Sequence, residues 1–78
     1  MQPSPQMALA ESISISARSD MIEWLFRALS SPKGIILETE TPQAILSLLL
    51  EAKATSHEFM SIRLFALEER GQVWLVKD

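Results

Sequence analysis

The spacing of hydrophobic and polar positions changes several times along this chain, and each change marks an element. Apolar residues at Met21, Ile22, Trp24, Leu25, Ala28 and Leu29 fall at helical spacing. Ser19 suits the N-cap of that helix, with Asp20 and Glu23 in a first turn that favours acids. Ser30-Ser31-Pro32-Lys33-Gly34 ends it, because proline cannot continue a helix and biases the preceding residue away from helical angles. Ile35-Ile36-Leu37-Glu38-Thr39-Glu40 is β-branched and apolar early, then alternating, which predicts a strand. Thr41 caps a second helix, with Pro42 at the first helical position, where no N–H is missed. Ile45, Leu48, Leu49 and Ala52 form one face of that helix. Leu46 and Leu50 add a second stripe, making the apolar face wider than a two-layer domain needs.

Thr55-Ser56-His57-Glu58 is a polar link. Phe59 to Leu67 then reads as the longest strand, with Met60, Ile62, Leu64 and Ala66 on one side. Its other side carries Phe59, Ser61, Arg63, Phe65 and Leu67. Glu68-Glu69-Arg70-Gly71 is a turn, and Gln72 to Lys77 is a closing strand, so the last two strands form an antiparallel hairpin. Ser12-Ile13-Ser14-Ile15-Ser16 alternates for five residues. It is either a short first strand or a loop that tucks Ile13 and Ile15 into the core. Met1 to Glu11 reads as a frayed leader (residues 1–11), and residues 12–78 as one domain. The order α-β-α-β-β, with a possible short first strand, predicts an α+β fold. Two helices pack on one face of a three- or four-stranded mixed or antiparallel sheet. Whether the closing strand lies inside or outside the sheet is open at this level.

Composition narrows the chemistry. A chain of 78 residues builds one small core, and 47% hydrophobic with 22% charged residues is the balance of a folded domain. No cysteine is present, His57 is the single histidine, and Gly34 and Gly71 are the two glycines. Disulfides, thiolate nucleophiles and cysteine metal sites are therefore excluded, and a zinc site would need carboxylates for all its other ligands. Glu38 and Glu40 share a strand face, yet glycoside chemistry also needs a cleft between its carboxylates. They read as a solvated strand end, paired with Arg63 or Lys77. No nucleophile turn surrounds any serine, and Lys33-Gly34 leads into a strand, unlike a phosphate loop. The expected protein is not an enzyme and has no cofactor or metal.

Ten acids against seven scattered bases give a net charge of -3, which disfavours nucleic acid and anionic membranes. No segment approaches the ~20 apolar residues of a membrane span. Met1–Ala10 lacks the basic and apolar parts of a signal peptide, so the expected location is the cytoplasm.

If Met60, Ile62 and Leu64 face the helices, then Ser61, Arg63 and Phe65 face away, joined by Trp74 or its neighbours. Aromatics with arginine are the usual anchors of recognition surfaces. Ser61, Arg63, Phe65 and Trp74, with the Leu46 and Leu50 strip, are thus the candidate partner-binding residues. The partner is a host protein or a second copy of the chain. The alternatives are a single-stranded nucleic-acid binder that stacks bases on the aromatics, and a structural homodimer that buries the same surfaces. Glu38 and Glu40 near that face weigh against nucleic acid.

Ser31-Pro32-Lys33-Gly34-Ile35, Thr39-Glu40-Thr41-Pro42, a helix ending Glu51-Ala52-Lys53 and the terminal Val73-Trp74-Leu75-Val76-Lys77 carry a resemblance. Over residues 31–77 the chain resembles small proteins of unknown function encoded by tailed bacteriophages and prophages. Their second helix is richer in arginine; here it is rich in leucine, so a nucleic-acid role is not carried over. The resemblance implies a context, a phage-borne accessory gene, and assigns no activity. Joined to the outer sheet face read above, it gives the expectation of a phage or prophage accessory protein that binds and modulates a host protein.

Overall fold

The computed structural model describes residues 11–15 and 20–77. The elements are β1 (Glu11–Ser14), α1 (Met21–Ser30), β2 (Ile35–Glu38), α2 (Pro42–Lys53), β3 (Ile62–Leu67) and β4 (Gln72–Lys77). Short 3-10 turns at His57–Phe59 and Glu68–Arg70 precede β3 and β4. The sheet runs β1-β2-β4-β3, with β1 parallel to β2 and the other neighbours antiparallel. The fold is the two-layer α+β domain that the pattern predicts, and the first strand forms. The expected leader falls on residues outside those described, except that Glu11 opens β1, and the N-cap of α1 is Asp20 instead of Ser19. The closing strand takes an inner position in the sheet.

Local chemistry explains the boundaries. Asp20 caps α1, its Oδ1 accepting from the Ile22 N–H at 3.0 Å. At the other end Ser31 Oγ donates to the Gly34 carbonyl at 2.9 Å, closing the turn around Pro32. Lys77 Nζ donates to the Leu29 carbonyl at 3.0 Å, so the last strand satisfies an end group of the first helix. Thr41 holds the cap position of α2 without a side-chain bond to the helix. Its own N–H instead donates to Thr39 Oγ1 at 3.1 Å, while its carbonyl accepts from Ile45.

One core lies between the sheet and both helices. Leu25, Ala28, Ile45 and Leu49 meet Ile35, Leu37, Ile62, Val73 and Leu75 there, all fully buried. The strand residues among them belong to one parity of the pleat, as alternation requires.

The turn at His57–Phe59 overrides the long strand read from residue 59. Met60 N donates to the His57 carbonyl, so the chain coils through Phe59 and straightens only at Ile62. Phe59 is consequently in the core, and Met60 is 64% exposed instead of facing the helices. Its ring also meets Phe26 edge-on, with centroids 5.0 Å apart. β2 likewise stops at Glu38, leaving Glu40 in a bend off the strand.

Gly34 sits at φ 77° against β4, where a Cβ would strike the Leu75 carbonyl; Gly71 sits at φ 64° with more room. Gly34→Ala combines left-handed strain with a backbone clash and should cost at least ~2 kcal/mol, against about 1 kcal/mol for Gly71→Ala. Urea unfolding of the two variants measures both, and an equal loss would contradict the packing of β2 on β4. Leu49→Ala, which empties a fully buried position, should cost about 2–5 kcal/mol in the same assay.

Candidate partner-binding face

The pleat that sends Val73 and Leu75 inward sends Gln72, Trp74 and Val76 to the face away from the helices. The register places Ile36 and Phe65 on either side of Trp74, and Arg63 beside Val76. Leu67 lies beside Gln72. Ile36 and Trp74, each 7% exposed, form a second apolar cluster with Phe65, Leu67 and Val76 packed around them. Trp74 Nε1 donates to Gln72 Oε1 at 2.9 Å, and the Arg70 guanidinium lies 6.0 Å from the centre of the indole. These contacts give the ring a hydrogen bond and a cation on its π-system.

The sequence-predicted residues therefore divide. Arg63, Phe65 and Trp74 share the outer face, as alternation implies. Trp74 is closed in by its neighbours, whereas Phe65 is half-buried and Arg63 exposed. Ser61 belongs to the turn before β3 and is not on the strand. Leu46 packs against the main core, and Leu50 projects, 50% exposed. The expected pairing of Glu38 with Arg63 or Lys77 does not occur. β4 separates β2 from β3, Glu38 Oε2 accepts from Ser12 Oγ at 2.9 Å, and Lys77 reaches α1. Ile36 and Leu67 were not among the sequence candidates. The parity of β2 and β3 carried them, since each lies an even number of residues from a predicted outer position.

The two ends of the sheet edge differ in charge. Glu68 and Glu69 follow β3, whereas Arg63 stands near its start, and all three are exposed. An open concavity of about 500 Å³ lies between the start of α2 and this turn, lined by Gln43, Leu67, Glu69, Arg70 and Trp74 among others. Its charged groups are solvated. It lacks the desolvated polar group that orients a small molecule in a binding pocket. Among the described residues, no group of three or more His, Cys, Asp or Glu is placed to hold a metal ion. No helix there is long and apolar enough to cross a membrane.

Comparison with family models, curated proteins and solved structures finds no match to this chain.

The burial of Trp74 has a spectroscopic consequence. In the Trp24→Phe variant, emission from Trp74 should resist acrylamide quenching in the folded state and become quenchable on unfolding. Quenching equal to that of free tryptophan in the folded protein would show that the cluster is open.

Proposed function

We propose that this chain is a non-enzymatic protein-interaction module whose partner adds along β3. The carrying observation is that β3 hydrogen-bonds to β4 alone among the described strands. One side of its backbone is thus an edge beside half-buried Phe65 and Leu67. An extended segment docking there gains main-chain hydrogen bonds, and the aromatic and the exposed Arg63 supply selectivity. Adding a strand would also extend the second apolar cluster and remove Phe65 from water. A phage or prophage origin, as the resemblance over residues 31–77 implies, would make a host protein the target that is bound and modulated. A base-stacking role would call on an open Trp74 ring, and its 7% exposure favours the protein-partner reading.

Tagged protein incubated with bacterial lysate should recover a partner whose binding protects the β3 amides, residues 62–67, from hydrogen exchange. Arg63→Glu and Phe65→Ala should each lower recovery about tenfold, as for a hot-spot contact. Recovery of nothing above background, or protection confined to other elements, would overturn the reading.

A further inference from the structure

Resting on that reading, we infer that β3 pairs with β3 of a second copy of this chain when no other partner is present, giving a homodimer with one continuous sheet. Three features of the molecule converge on this occupant.

The first is the contrast between the two sheet edges. β1 is four residues long, carries Ser12 and Ser14 on its outer face, and turns Ser12 onto Glu38. Short polar edges of this kind resist pairing. β3 is six residues long, Ile62-Arg63-Leu64-Phe65-Ala66-Leu67, with one charge, no proline and no glycine. It has few of the devices that keep an edge solitary.

The second feature is self-complementarity. A two-fold axis through Phe65 sets that ring opposite the partner's Phe65, a favourable cross-strand pair. Arg63 then stands opposite the partner's Leu67, so no like charges face each other. Just beyond lies the acidic turn, which brings Arg63 toward the partner's Glu68 and the partner's Glu69. The strand is basic at its start and acidic after its end, which is the polarity an antiparallel self-pair requires. Parallel pairing would instead set Arg63 beside the partner's Arg63.

The third feature is the position of the Leu46–Leu50 strip. β1 and β2 run parallel, and β3 runs with them because both β2 and β3 oppose β4. Each helix returns from the end of one of these strands to the start of the next, so α1 and α2 run the same way. Phe26 occupies one flank of α1 relative to its buried stripe and touches Phe59, which leads into β3. On α2, Leu46 and Leu50 occupy the corresponding flank beside buried Ile45 and Leu49. They therefore lie on the β3 side of the molecule. Two-fold pairing of β3 brings the two α2 helices toward each other across the axis, with Leu50, 50% exposed in the single chain, between them. The edge and the apolar strip are thus covered by one operation.

Sedimentation equilibrium tests this. The full chain should be predominantly dimeric at about 100 µM and dissociate on dilution. Arg63→Glu, which confronts the acidic turn, should weaken association at least ~10-fold, and so should Glu68→Lys combined with Glu69→Lys. Mixing the two variants should restore a heterodimer. Leu50→Lys should weaken association through the helix contact, with unchanged circular dichroism confirming the fold. A monomer at every concentration, or a dimer indifferent to both charge reversals, would overturn the inference. If the dimer is absent yet lysate capture still depends on Arg63 and Phe65, the edge-binding reading stands and only self-pairing fails. Loss of both dependences removes the two together.

Discussion

The alternation of β4 is the constraint on which the rest of the structure depends. β4 lies between β2 and β3, so it supplies hydrogen bonds to both. Its odd-numbered residues Val73 and Leu75 fill the main core, and its even-numbered residues Trp74 and Val76 build the outer cluster. A slip of one residue would exchange the two sets, placing an indole under the helices and branched aliphatics outside. Gly34 locks that register, since β2 can approach Leu75 only because position 34 lacks a side chain. Lys77 ties the end of the same strand to the last turn of α1. Sheet order, core and outer face are therefore consequences of one six-residue segment.

Much of this was legible in the sequence because the signals were local. The Pro32–Gly34 stop, Pro42 at the start of α2 and the Gly71 turn are written in residue types whose backbone preferences are strong. The inner and outer sets of β4 followed from period alone. The departures came where two local rules competed. Between Phe59 and Ser61 the apolar alternation of a strand continues, but Ser56 Oγ bonds Glu58 Oε1 at 3.2 Å and a 3-10 turn forms. Main-chain bonds from Phe59 N to the Ser56 carbonyl and from Met60 N to the His57 carbonyl close that turn, and the core then takes Phe59. The N-cap shifted for a related reason, because Asp20 is as good a cap as serine and stands one residue nearer the helix.

The strand order, and with it the partner of Glu38, lay outside what local pattern can specify. β2, β3 and β4 each have residues suited to an inner position, and the choice rests on which arrangement buries both β4 faces. Placing β4 inside leaves β1 and β3 as edges. β1 suits that place because its outer residues are serines that need no cover. The candidate site was legible to the same extent: parity put Arg63, Phe65 and Trp74 on one face, while their unequal exposure depends on strand order. Trp74 sits in the middle of the sheet and is closed in. Phe65 sits on the edge strand and is only half covered.

That inequality follows from the size of the domain. The two helices among the described residues cover one sheet face, and the centre of the outer face is closed by its own side chains. Closure works at the centre, where strands flank Trp74 on both sides, and fails at β3, where among the described strands only one side has a neighbour. Phe65 and Leu67 are therefore left partly in water beside a backbone edge that no other described strand pairs, and on α2 Leu50 is left exposed on the same side. Covering one of these without the others would leave apolar surface at the seam. A single partner that adds a strand and brings a helix with it removes all three at once, and the chain's own β3–α2 half has that composition.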